Sequence, residues 1–191
     1  MFSVRIHGRG GQGVVTAAEL LSLAAFDAGL EAQAFPSFGS ERMGAPVVAF
    51  CRLDDRPIRL REPIAEPDAV VVQDPTLLHH VDVFGGLKAD GYVLINSSRA
   101  VAELGLEELH DRHRPERVVT VAASELAREH LGRPIPNAAL LGALAALTGI
   151  VSLPSLQSAI DERFAGEAAA ANRAAAAAAH EAITTETRLH A

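Results

Sequence analysis

The sequence predicts an α/β fold: a Rossmann-like three-layer sandwich on a mainly parallel sheet, with a helical C-terminal extension. Three features point there. The chain opens with a strand, a glycine turn and a helix in direct succession. Ala69-Val70-Val71-Val72, within Asp68–Gln73, and Tyr92–Asn96 are continuous apolar runs of the kind found in strands buried on both faces. Strand-like and helix-like stretches also alternate along the chain, the order that builds a parallel sheet.

The first strand spans about residues 2–7, with Val4 and Ile6 supplying its β character. A glycine turn at 8–13 follows, then a helix over about 14–29 that ends at Gly29, with Leu20, Leu21, Ala24 and Ala25 at helical spacing. Glu31–Phe35 reads as a second strand and runs into a loop from Pro36 to Pro46. Two β-rich stretches come next, Val47–Leu53 and, after the turn residues Asp54-Asp55, Pro57–Leu60. A short helical stretch around 75–84 separates the two apolar strands. Glu103–Arg117 is charged and predicts a surface helix plus loop. Val118–Ala122 is the last strand, and Ala123–His130 and Asn137–Thr148 read as helices.

From Pro154 onward the pattern is helical, so residues 1–153 form the main unit and 154–191 a helical extension of the same domain. Ala168–Ala179 favours helix by propensity while burying little. It is expected to be either an arm packed on a partner subunit or a frayed tail.

Composition narrows the function. At 191 residues with 49% hydrophobic side chains the chain can fill one core. No apolar run approaches the roughly 20 residues a bilayer requires, and the N-terminus enters a strand directly, without a signal pattern. These features predict a cytoplasmic protein with no membrane contact. A net charge of −7 and scattered basic residues disfavour nucleic acid, which needs a concentrated basic face. Cys51, the single cysteine, lies in a strand pattern and reads as a buried structural thiol. One thiol builds no disulfide, zinc cage or iron–sulfur site. Lys88, the only lysine, lies outside any phosphate-loop pattern.

Gly8, Arg9, Gly10, Gly11, Gln12 and Gly13 stand between strand and helix. Glycines there permit close backbone approach, and the helix N-terminus directs N–H groups and positive dipole at the turn. That chemistry suits a phosphate or pyrophosphate, although a turn that only packs helix on sheet has the same residues. Gly8, Gly10 and Gly13 also satisfy the dinucleotide pattern. The ribose-binding acid that NAD or FAD requires at the end of the second strand is missing, since Phe35-Pro36-Ser37 stands there. In the second loop, Ser37, Ser40, Gly39 and Gly44 surround Arg42, a donor set for phosphate that an ordered surface loop with Arg42 on Glu41 would equally present. Asp74-Pro75 reads as a turn starter, Asn137 as a helix cap after Pro136, and His79 and His80 as a solvated pair.

Taken together, His7-Gly8-Arg9-Gly10-Gly11-Gln12-Gly13-Val14-Val15-Thr16-Ala17-Ala18-Glu19 and Ala32-Gln33-Ala34-Phe35-Pro36-Ser37-Phe38-Gly39-Ser40-Glu41-Arg42-Met43-Gly44-Ala45-Pro46-Val47 resemble the gamma subunit of 2-oxoacid:ferredoxin oxidoreductases. Asp54-Asp55-Arg56-Pro57-Ile58, Val72-Gln73-Asp74-Pro75, Leu94-Ile95-Asn96-Ser97 and Pro136-Asn137 extend the resemblance over about residues 3–150. It implies a subunit that helps bind coenzyme A and assemble a complex. Alpha, beta and delta-type partners would carry thiamine diphosphate, Mg2+ and 4Fe–4S clusters, and ferredoxin or an NAD-linked flavin subunit would accept the electrons. The resemblance sets the CoA phosphates near Gly8–Gly13 with Ser37, Ser40 and Arg42 opposite and Asn96 adding a polar contact. It assigns this chain no catalytic or metal-ligating residue. A stand-alone nucleotide-binding enzyme and a purely structural assembly subunit are the alternatives. The 2-oxoacid is chosen on other chains.

Overall fold

Alternation along β1 (Phe2–Arg9) decides what lies on each side of the sheet. Val4 and Ile6, fully buried, face one way into the main core, while Arg5 and His7 face the other. The computed structural model describes residues 1–37 and 43–189. After β1 come α1 (Val14–Asp27), β2 (Glu31–Pro36), β3 (Pro46–Asp54), β4 (Ala69–Val72), β5 (Tyr92–Asn96), α2 (Glu107–Arg112) and β6 (Val118–Val121). Four helices follow: α3 (Ala123–Leu131), α4 (Asn137–Thr148), α5 (Leu153–Arg163) and α6 (Gly166–Leu189).

The sheet order is β2-β3-β1-β4-β5-β6. β1, β4, β5 and β6 run parallel, with Ile6 opposite Val71, Val71 opposite Leu94 and Leu94 opposite Val119. β3 alone is reversed, pairing antiparallel with both β1 and β2. The mainly parallel α/β sheet is therefore as the apolar runs predict. Helices α1 and α3–α6 cover one face. The other face carries α2, short 3-10 turns and irregular chain, which close a smaller apolar cluster around Val70, Val72, Val93 and Ile95. Cys51 is fully buried, and burial pushes its thiol well above the ordinary range, as a structural thiol requires. Lys88 is spent on Asp68 at 2.6 Å.

Three local expectations need correction. Pro57–Leu60 belongs to no strand. It connects β3 to β4, and both already have neighbours on either side, so no sheet edge lies open on its path. The predicted helix at 75–84 is a 3-10 turn, Pro75–His79, followed by bends. Asp74 caps that turn through Thr76, Pro75 opens it, and the chain leaves it after one revolution.

The alanine-rich segment, expected as an arm on a partner subunit or a frayed tail, packs instead on a helix of its own chain. Within α6, Ala169, Asn172, Ala176, Ala179 and Ile183 form a buried stripe at helical spacing. That stripe packs on α4, whose residues Asn137–Ala145 are buried on every side between sheet and α6. The two backbones approach so closely that a Cβ on Gly142 would lie 2.0 Å from the carbonyl oxygen of Ala176. Small residues were read as weak packers, but they permit contact at backbone distance. Gly142→Ala is expected to force α4 and α6 apart at a cost of ~1–3 kcal/mol, the usual range for overpacking. Chemical denaturation measures it, and an unchanged midpoint would mean that α6 does not sit on α4.

Candidate functional site

In a sheet of this kind ligands bind beyond the C-terminal ends of the strands, where successive connections leave by opposite faces. Here that point lies between β1 and β4. The chain after β1 enters α1 on one face, and the chain after β4 turns onto the other. The glycine turn and Gln73-Asp74-Pro75 therefore meet.

β1 runs two residues past its predicted end because β3 pairs with it as far as Arg9 opposite Pro46. The glycine turn and the second loop then bond directly. The Gly10 N–H donates to Ala45 O at 2.9 Å, and the Gly44 N–H donates to Gly10 O at 3.1 Å. Ser37 is exposed on the same rim, its N–H bonded to Val48 O at 2.8 Å. Ser40 and Arg42 lie outside the described residues.

The side chains of the turn are engaged in holding the rim together. Arg9 contacts Asp74 at 3.2 Å, donates to Thr76 Oγ1 at 2.8 Å and to Gly44 O at 3.1 Å. Gln12 accepts the Arg9 N–H at 2.7 Å and donates to Asp74 Oδ2 at 2.8 Å. Thr76 completes the set, with its hydroxyl 2.6 Å from Asp74 Oδ1. Burial pushes the Asp74 carboxyl upward, but the bonds from Thr76 and Gln12 and the charge of Arg9 outweigh it and hold the group below its ordinary value. Asp74 is thus a turn starter, as expected, and also the bond across the switch point. Asn96 lies one strand further on and is buried. Its amide nitrogen donates to Gln73 O and Ser124 Oγ, both at 2.8 Å, and Oδ1 accepts the Ser124 N–H at 3.0 Å.

The main chain is left free. Gly13 takes a left-handed conformation, φ +73°, and ends the turn without a side-chain cap. Among the described residues the N–H groups of Gly11, Gly13, Val14, Val15 and Thr16 have no partner. They form the positive end of a fourteen-residue helix, a ready anion site. Asn137 closes behind Gly13, where a Cβ would lie 2.7 Å from its amide nitrogen. Asn137 was expected as a helix cap. It stands instead at the first helical position, with Pro136 as cap residue, and its Oδ1 accepts the Ala138 N–H at 2.8 Å.

Two cavities flank the turn. One, about 260 Å³, lies between it and Val47. The other, about 710 Å³, runs from Gly11, Gly13 and Thr16 to Arg133, Arg163 and Asn172. Arg133 has no ion-pair partner among the described residues, and Arg163 approaches Glu19 only at 3.9 Å. Sequence reasoning missed this second wall. Arg133 stands beside the noted Pro136-Asn137 and could have been flagged, whereas Arg163 lies in the C-terminal stretch, where no motif marked it.

Just before the turn, His7 is 4% exposed, and its Nε2 has no partner among the described residues. Burial, and then the charge of Arg5, lower its pKa to about 4. An unfolded histidine titrates near 6.5. Between those values the unfolded chain binds a proton that the folded chain refuses, so stability falls as pH drops through the window, by at most about 1.4 kcal/mol per pH unit. His7→Leu is expected to flatten that slope when denaturation midpoints are compared at the two ends of the window. A slope equal to wild type would assign the loss to other groups.

Known proteins resemble this chain in sequence and in fold. The profile of the pyruvate ferredoxin/flavodoxin oxidoreductase family matches residues 3–182. The common subunit gamma of the pyruvate/ketoisovalerate oxidoreductases of Pyrococcus abyssi is 51% identical over 176 residues, covering 92% of this chain and 94% of the relative. The pyruvate oxidoreductase subunit PORC of Thermotoga maritima has a solved structure that superposes with a TM-score of 0.78 at 35% identity, over 94% of this chain and 95% of that one. The 2-oxoglutarate:ferredoxin oxidoreductase of Magnetococcus marinus, solved with 2-oxoglutarate, coenzyme A and succinyl-CoA, shares the fold. Its TM-score is 0.72 at 20% identity, over 97% of this chain and 31% of that longer one.

Proposed function

The chain belongs to the pyruvate ferredoxin/flavodoxin oxidoreductase family, and from that membership we propose that it is the gamma subunit of a multisubunit 2-oxoacid:ferredoxin oxidoreductase, binding coenzyme A and contributing to assembly. The observation that carries the CoA assignment is the set of N–H groups of Gly11, Gly13, Val14, Val15 and Thr16, unpaired among the described residues, at the switch point between two cavities. Those donors fit phosphate oxygens, and a side chain at Gly13 would obstruct the turn. The larger cavity is of the size small-ligand sites have, and it adds two guanidinium groups, Arg133 and Arg163. Bound there, coenzyme A supplies the thiol that takes the acyl group as a thioester.

Each part of the site then has its task. The Gly11–Thr16 main chain binds phosphate. Arg9, Gln12 and Asp74 hold the turn in shape, and Asn96 ties the neighbouring strand ends to the start of α3. Ser37, Ser40 and Arg42 are the second-loop donors assigned to the CoA phosphates. Thiamine diphosphate, Mg2+ and the 4Fe–4S clusters belong to alpha, beta and delta-type partners. The lone thiol of this chain is buried with a raised pKa and is not a cluster ligand. The names of the relatives favour pyruvate and branched-chain 2-oxoacids as substrates of the whole complex. An NAD or FAD site is disfavoured because β3 separates β1 from β2. The end of β2 is thus two strand spacings, about 10 Å, from the turn, and it carries no carboxylate.

Purification of the tagged chain from its host under anaerobic conditions is expected to bring chains with a thiamine-diphosphate signature and cysteine clusters. In that complex, Arg42→Ala and Gly13→Val are each expected to raise the KM for CoA by ~10-fold or more, the loss of one or two charge-assisted bonds. Decarboxylation on thiamine, assayed without CoA, is expected to stay unchanged. An unaltered CoA dependence in both variants would leave the two loops an assembly role only.

A further inference from the structure

We propose that the unpaired surface segment Arg56–Arg61 is a strand-addition site for a carboxylate-bearing edge of a partner subunit. The proposal rests on the multisubunit reading above. It concerns the sheet face opposite the helices that border the larger cavity.

The sequence of this segment has the character of a strand. Ile58 and Leu60 alternate with Arg59 and Arg61, the period-2 pattern of a two-faced β segment. In the structure residues 57–61 belong to no helix, turn or strand, and among the described residues no backbone group from 57 to 61 makes a hydrogen bond. The residues are exposed except for half-buried Ile58, and Leu60, 44% exposed, is among the few large apolar side chains that face water. Strand character with no ladder in the free chain is what an added strand would complete.

Both ends of the segment are fixed. Before it, Asp54 ends β3 and meets the N-terminal ammonium at 3.4 Å. After it, Glu62 O accepts from Arg52 at 2.6 Å, and Ile64 is buried with its carbonyl facing Arg5 at 3.4 Å. A segment held this way loses little further freedom on binding.

Charge selects the partner. Between Asp55 and Glu62 the segment is purely cationic, in a chain of net charge −7. Arg56 approaches Asp55 at 4.0 Å with both side chains largely in water, and Arg59 and Arg61 have no partner among the described residues. A second copy of this chain is a poor occupant. Antiparallel self-pairing about Leu60 sets Arg59 against Arg61, and pairing about Arg59 sets it against itself; pairing about Ile58 avoids like charges but sets Arg59 against Pro57, which has no N–H for the ladder. An edge that places carboxylates opposite Arg59 and Arg61 and apolar residues beside Ile58 and Leu60 satisfies both rows.

Hydrogen exchange on the full-length chain, alone and in the purified complex, tests this. The amides of Ile58–Arg61 are expected to exchange quickly in the free chain and to slow by ~100-fold or more on assembly. Arg59→Glu combined with Arg61→Glu, and separately Leu60→Pro, are expected to weaken assembly by ~10-fold or more while the free variants melt as wild type does. The proline variant removes one exposed donor without changing charge. A complex in which these amides still exchange freely, or variants that assemble normally, would overturn this proposal alone. Protection that arises in a homodimer of this chain would replace the acidic partner with a second copy and so refute the assignment. A wild-type chain that co-purifies with nothing would overturn both the complex and this surface.

Discussion

β3 runs against the rest of the sheet, and it does so between β1 and β2. Much of the functional arrangement follows from that insertion. An antiparallel strand beside β1 must begin where β1 ends, so Pro46 lies opposite Arg9, and the second loop is delivered to the glycine turn. β2 is displaced to the sheet edge, which removes from the turn the position where a dinucleotide-binding protein keeps its ribose acid. Because β3 and β4 both have β1 as a neighbour, the chain joining them passes no open edge. Residues 57–61 stay outside any ladder for that reason.

How far this was legible in the sequence depended on range. Val4, Ile6 and the Ala69–Val72 and Tyr92–Asn96 runs carry their own period, so the parallel strands were readable to within a residue or two. The reversed strand was not. Val47–Leu53 reads as a strand whichever way it runs, since strand direction is set by the partner. Pro57–Leu60 shows the converse: a local pattern suitable for a ladder, in a place where topology offers none. Ala168–Ala179 was misjudged because helix propensity and buried area are properties of single residues. The value of alanine here lies in a pair of helices, where a missing Cβ at Gly142 and a small one at Ala176 allow the backbones to meet.

The glycine turn divides labour in a way that a motif alone does not disclose. Read as a list, Gly8 through Gly13 offer Arg9 and Gln12 as the chemically active side chains. In space these two are bonded to Asp74, Thr76 and the neighbouring loop, and the main-chain N–H groups of Gly11 and Gly13–Thr16 have no partner among the described residues. The arrangement is economical in electrostatic terms. A carboxylate sharing its oxygens among Thr76, Gln12 and Arg9 is largely neutralised, so Asp74 does not repel the anion that the helix terminus attracts. Asp-Pro looked like local turn chemistry because its other partners lie more than sixty residues away in sequence.

The two proposals assign separate tasks to the helix-covered side and to the side that carries residues 57–61. The glycine turn and the larger cavity, with Arg133 and Arg163, lie among α1 and the C-terminal helices. The arginine-bearing segment is anchored to the opposite face through Arg5 and Arg52. Arg5 sits two residues before His7 on β1, and the same strand ends in the glycine turn. β1 is thus a stiff strut, buried between two neighbours, connecting the docking face to the ligand rim. A partner seated on that face would therefore reach the glycine turn only through β1, which joins the two proposed surfaces.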